Sequence, residues 1–162
     1  MTVGERLAEL LRTCEAAQRD PLVREAASLA RSLAGEDPTP LDLACAALRV
    51  AQRSGYQRDQ PGEWFQSVRY TVVHGGDCED LSALFVSLAW LLGLDADLIW
   101  LEQPDRPLDH VAAKVLVGGA WLWADASVCG ARVGESPYAA MDRLGAWYVV
   151  DATKPGGACA VE

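Results

Sequence analysis

Between His74 and Leu94 the chain reads H-G-G-D-C-E-D-L-S-A-L-F-V-S-L-A-W-L-L-G-L, and this stretch constrains the fold more than any other. Leu81, Leu84, Phe85, Leu88, Leu91 and Leu92 recur at three- and four-residue spacing, and Val86, Ala89 and Trp90 widen the apolar face, so the segment is a helix that belongs in a core. Gly93 closes it. Asp77 stands in the N-cap position, with Glu79 and Asp80 in the first turn, where carboxylates meet exposed backbone N–H groups. Cys78 therefore sits at the helix mouth, reached through a Gly-Gly turn that lets another segment approach the backbone closely. A helix dipole favours a thiolate there, while three neighbouring carboxylates oppose it, so a reactive Cys78 needs a cationic partner. Without one, it is a small buried hydrophobe, the common fate of a free cysteine.

A length of 162 residues, 51% of them hydrophobic, suits one domain with a substantial core. Net charge −9, with Lys114 and Lys154 as the lysines, argues against nucleic acid and against an anionic membrane surface as partners. Neutral or basic partners fit better. The apolar run from Leu81 to Leu94 is too short for a bilayer span and is broken by Ser82 and Ser87. The first residues, M-T-V-G-E-R-L-A-E-L-L-R, do not resemble a secretory signal. Cys14, Cys45, Cys78, Cys129 and Cys159 form an odd set without close repeated spacing, which indicates neither a disulfide framework nor a zinc site and leads to an expected reducing cytoplasm.

Along the chain, Val3 to Gln18 carries Leu7, Leu10, Leu11 and Cys14 at helical intervals, and Asp20-Pro21 opens a second helix through Leu33, the two expected to pack as a hairpin. Thr39-Pro40 opens a third helix ending near Gly55. Pro61-Gly62 marks a loop, and Glu63 to Val68 is expected to form one helical turn with Trp64, Phe65 and Val68 inward. After the Cys78 helix the pattern changes to strands: Ala96 to Leu101, His110 to Val117, and Ala120 to Asp125, the last two joined by a Gly118-Gly119 turn. Tyr138 to Leu144 reads as a short helix, Trp147 to Asp151 as a final strand, and residues 152–162 as a frayed tail. The expectation is an α+β chain, with a helical part over 1–55 and a core over 63–151 in which the cysteine helix packs on a small antiparallel sheet.

His74 and His110 are the two histidines. His74 is too near Cys78 in sequence to face it easily across the helix mouth, whereas His110 begins a strand from which an imidazole can reach a cleft. A two-residue turn at Gly118-Gly119 pairs residues whose numbers sum to about 237, which sets His110 opposite Ser127 with Asp125 one diagonal step away on the same face. That carboxylate can orient the imidazole, which in turn can hold Cys78 as thiolate. Asp151, in W-Y-V-V-D-A-T, is the alternative orienter, detached from this hairpin. Trp90, Trp100 and Trp123 are assigned to the core, while Trp64, Trp121 and Tyr70 suit either core or substrate wall. Glu79 and Asp80 are read as helix stabilisers rather than metal ligands, and no cofactor is expected.

The order G-D-C-E-D-L-S-A-L, then a leucine-rich helix ending in Gly-Leu, then D-H-V-A-A-K-V-L-V-G-G-A-W-L-W-A-D, resembles the transglutaminase-like domain of the papain-type cysteine protease superfamily, in its short bacterial and phage-borne form. The resemblance covers roughly Trp64 to Asp125. It implies a papain-like fold with Cys78 as nucleophile, His110 as base and acid, and Asp125 as orienter. It also implies Trp64 or Gln66 as an oxyanion-hole contributor beside the Cys78 backbone N–H. The sequence departs from the family in placing Val-Ala-Ala after His110, where an aromatic is common. The expected chemistry is thiol-dependent acyl transfer on a peptide or protein substrate, hydrolysis first and cross-linking to an amine second. A binding or assembly module with little turnover is the alternative, prompted by the acidic surroundings of Cys78 and the extra N-terminal helices. Oligomeric state is not legible.

Overall fold

The computed structural model describes residues 2–58, 65–102 and 110–144, with the backbone alone for 141–144. The described residues form six helices and one three-stranded antiparallel sheet, an α+β architecture. In chain order these are α1 (Val3–Ala17), α2 (Pro21–Leu33), α3 (Pro40–Ser54), α4 (Val68–His74), α5 (Cys78–Leu91), β1 (Ala96–Leu101), β2 (His110–Val117), β3 (Ala120–Ala124) and α6 (Pro137–Leu144).

The first three helices start where local chemistry satisfies their free N–H groups. Thr2 and Glu5 form a capping box on α1, Asp20 caps α2 ahead of Pro21, and Thr39 and Asp42 form a second box on α3 ahead of Pro40. α5 is buried on every side: Leu84, Phe85, Val86, Leu88 and Ala89 are fully enclosed. Its two serines are satisfied within the core, Ser82 Oγ donating to the Val111 carbonyl at 3.1 Å and Ser87 Oγ to the Ala83 carbonyl at 2.8 Å. Helices α1 to α4 and strands β1 and β2 all pack around α5.

That arrangement corrects the expected α1–α2 hairpin. α2 lies along α3, and α1 and α2 each turn their apolar stripe (Leu10, Cys14 and Ala17; Val23, Ala26, Ala27 and Ala30) toward the common core around α5. A helix apolar on all faces removes more surface from water than two amphipathic neighbours do from each other.

The helical turn expected over Glu63 to Val68 is also displaced. Glu63 and Trp64 lie outside the described residues, Phe65 to Ser67 are not helical, and the helix begins at Val68 after Ser67, whose Oγ accepts from the Tyr70 N–H at 3.2 Å. Thr71, Val72 and Val73 are weak helix formers that obscure α4 in the sequence. Packing of α4 on α5, α2 and α3 supplies what propensity does not.

The sheet order is β1-β2-β3. The β2–β3 pairing runs Val117↔Ala120, Val115↔Leu122 and Ala113↔Ala124, the register that the two-residue turn implies, with Gly118 and Gly119 at φ +58° and +79°. β3 ends at Ala124, one residue before the expected Asp125, and α6 begins at Pro137, capped by Ser136 Oγ. The strand expected at Trp147 to Asp151 and the tail lie outside the described residues.

Among the described residues no helix is long and apolar enough to cross a membrane. Among the described residues Cys14, Cys45 and Cys78 are free, and Cys129 is disulfide-bonded.

The Gly75-Gly76 turn is built into the packing. Gly76 N–H donates to the Gly55 carbonyl at 3.2 Å, and Gln57 N–H donates back to the Gly76 carbonyl at 2.8 Å, which ties the end of α3 to the approach to Cys78. A Cβ on Gly75, at φ +75°, would collide with the Gly55 carbonyl and lie 2.7 Å from that of Ser54. One on Gly76 would strike the Asp80 side chain and lie 2.8 Å from Gln66 Nε2. Gly118 also has positive φ but open space around it. Gly75→Ala and Gly76→Ala are therefore expected to cost about 2–4 kcal/mol, against about 1–2 for Gly118→Ala, in urea unfolding. Equal losses at Gly75 and Gly118 would refute the close-approach argument.

Candidate active site

Cys78 is the first residue of α5, and the cap that starts the helix also aims the sulfur. Asp77 Oδ1 accepts from the N–H groups of Glu79 at 2.9 Å and Asp80 at 3.3 Å, while Asp80 Oδ2 accepts from Asp77 N–H at 3.3 Å. The residue is partly exposed and packs against the core on its inner side. Its thiol interacts with the His110 imidazole and the Val111 backbone, so the start of β2 lies over the start of α5.

His110 is held from behind by a buried carboxylate. Its Nε2 lies 2.7 Å from Asp125 Oδ2, and Asp125 is fully buried just past the end of β3. Asp125 Oδ1 accepts from the Ser127 N–H at 2.9 Å and from its hydroxyl at 2.7 Å. Both carboxylate oxygens are thus committed, and the ring orientation follows from them. With Nε2 on Asp125, the nitrogen left for the sulfur is Nδ1.

The charge balance has two sides. Burial works against a charged His110, but the Asp125 hydrogen bond and the Cys78 interaction outweigh it and push the imidazole up from 6.5 to about 10, so it is held as the cation. Burial pushes the Cys78 thiol up, opposed by the His110 hydrogen bond and reinforced by the Asp77 carboxylate. Burial and the Asp77 carboxylate thus oppose the thiolate that the helix dipole and the histidine favour.

The flanking acids are individually answered. Arg6 Nε on α1 lies 2.9 Å from Glu79 Oε1, and its Nη2 is 3.2 Å from Oε2. Asp80 accepts from the Gln66 side-chain amide and, at 3.4 Å, from the Gln66 backbone N–H. Gln66 Nε2 also reaches the Gly75 carbonyl at 3.4 Å. The Gln66 side-chain amide thereby braces the loop that carries Cys78. Trp64 and Asp151 lie outside the described residues. Trp121 stands 50% exposed on β3 with Lys114 Nζ 4.8 Å from its ring centroid. His74 ends α4 with its ring tilted against that of Tyr70, centroids 4.2 Å apart.

The fold has a counterpart among cysteine proteases. A crystal structure described as "a Putative Cysteine Protease from Cytophaga hutchinsonii" superposes on 65% of the chain with a TM-score of 0.50 and 19% sequence identity. The match spans 37% of that protein's length. No protein-family model and no curated protein matches the sequence. The likeness supports a papain-like or transglutaminase-like fold at the level of architecture.

Two residues of the site escape sequence reasoning in different ways. Ser127 had a local signal, since Asp-x-Ser favours a turn in which the carboxylate accepts from the residue two ahead. Arg6 had none, because its partner is 73 positions away. The raised His110 value carries a stability consequence. The cation is favoured in the folded chain, so its contribution is fully present below pH 6.5 and is lost as pH rises toward about 10. In urea unfolding, the stability of the wild type relative to His110→Gln should fall across that interval. A difference that is flat with pH would refute the buried ion pair.

Proposed function

We propose that the chain catalyses thiol-dependent acyl transfer at amide bonds, as a transglutaminase-like, papain-type cysteine peptidase or amidase with a catalytic core over residues 63–151. The observation that carries this reading is one imidazole, His110, joined at Nε2 to a buried Asp125 and meeting the Cys78 thiol at the mouth of a buried helix. The likeness in architecture to a cysteine protease supports it.

In the proposed reaction Cys78 and His110 share one proton, and the sulfur attacks the amide carbonyl from the thiolate–imidazolium form of the pair. The developing oxyanion faces the N-terminus of α5, with the Cys78 backbone N–H as donor. The C–N bond then breaks as His110 delivers a proton to the departing amine, leaving a thioester on Cys78. Water, deprotonated by His110, attacks the thioester and releases the acid and the thiol. Asp125 stays ionised throughout and stabilises the imidazolium. A lysine amine in place of water would give a cross-link, and net charge −9 favours neutral or basic peptides as substrates.

A second reading rests on the upward push that burial gives the Cys78 thiol. A chain that keeps the fold but seldom forms the thiolate would serve as a binding or assembly module.

Turnover of a panel of fluorogenic peptide amides separates the two. Cys78→Ala should abolish it, His110→Gln should lower kcat/KM by about 10²–10⁴, and Asp125→Asn should lower it by about 10²–10⁴ without unfolding the chain. An acyl-enzyme on Cys78 should be trapped at low pH and seen by mass spectrometry. Turnover that survives in Cys78→Ala would overturn the proposal. A wild type that turns over none of the panel, with or without an added amine, would favour the module.

A further inference from the structure

Glu79 follows Cys78 in the chain and is 8% exposed, so a carboxylate is buried beside the sulfur-bearing residue. Arg6 meets it with both prongs of the guanidinium, at 2.9 and 3.2 Å. The same guanidinium lies over the Phe65 ring, 5.3 Å from its centroid, and near the Trp100 ring at 5.8 Å. Arg6 is thus held by residues from the segment before α4 and from β1 while it reaches the first turn of α5. Such a fork between aromatic faces is geometry that lysine does not reproduce.

Asp77 at the N-cap and His110 on β2 act on the thiol, Glu79 and Asp80 share the first turn of α5 with it, Asp125 after β3 meets His110, and Arg6 on α1 meets Glu79. Asp77 is engaged by the helix N–H groups, Asp80 by Gln66 and the cap, Asp125 by His110 and Ser127, and Glu79 by Arg6. We propose that Arg6 is a positioning residue of the site: by forking onto Glu79 it cancels that carboxylate's field at Cys78 and ties the first turn of α5 to α1. The N-terminal helices then belong to the catalytic apparatus instead of forming a separate docking surface. The inference rests on the reading of Cys78 as nucleophile, but its test reads the thiol rather than turnover.

The test is the pH profile of iodoacetamide alkylation at Cys78, resolved by peptide mass spectrometry, with exposed Cys45 as internal control. In Arg6→Gln the Cys78 profile should move up by about half to one pH unit, which is about three- to tenfold slower labelling at a fixed pH below the midpoint. Arg6→Lys should fall between this variant and the wild type, and it serves as the test if Arg6→Gln does not fold. Arg6→Gln combined with Glu79→Gln should return to the profile of Glu79→Gln alone, because Arg6 acts through that carboxylate. Cys45 should be unchanged in all variants. A Cys78 profile in Arg6→Gln, or in Arg6→Lys where that is the variant read, that coincides with the wild type would overturn the proposal. So would a double variant displaced as far as Arg6→Gln. Loss of peptide turnover as a function of this chain would leave these profiles intact, so the two readings fail separately.

Discussion

Helix α5 has no polar face to offer to water, and the rest of the fold follows from covering it. Its central residues are fully enclosed, and α1, α2, α3, α4, β1 and β2 each supply part of the enclosure. Burying an aliphatic or aromatic side chain contributes roughly 1.5–3 kcal/mol, so a helix apolar all round competes successfully for the stripes of every amphipathic neighbour. What it cannot bury is its own N-terminus, whose N–H groups need acceptors. Asp77 and Asp80 meet that need, and the cysteine between them is left at the boundary between core and solvent.

A sulfur in that position is subject to opposing influences. Desolvation raises the thiol, and Asp77 adds to this, while the imidazolium of His110 pulls the other way. His110 is itself kept cationic because Asp125 is buried with it and has both oxygens engaged. The pair forms a unit in which each group's charge depends on the other's proton. Closure of the core around α5 therefore sets both the position of the Cys78 sulfur and the difficulty of ionising it.

The two glycines before Cys78 show the same dependence at the backbone. Their lack of Cβ atoms lets the Gly55 carbonyl and the Asp80 side chain close in, and Gln66 then locks the loop by bonding Asp80 and the Gly75 carbonyl. Gln66 thus helps to hold the loop that presents Cys78.

Features with local physical causes were legible in the sequence alone. Helix starts at Asp20, Thr39 and Asp77 and the Gly118-Gly119 turn act within a few residues, and the β2–β3 register follows from that turn by counting. The same register places Asp125 on the face of His110, where the two side chains meet. Tertiary structure alone decided that α1 and α2 turn to α5 instead of each other, that Arg6 reaches Glu79, and that Gln66 serves as a brace. It also decided the direction in which the Cys78 thiol moves, because desolvation depends on which distant segments close over the sulfur, and no local pattern encodes that.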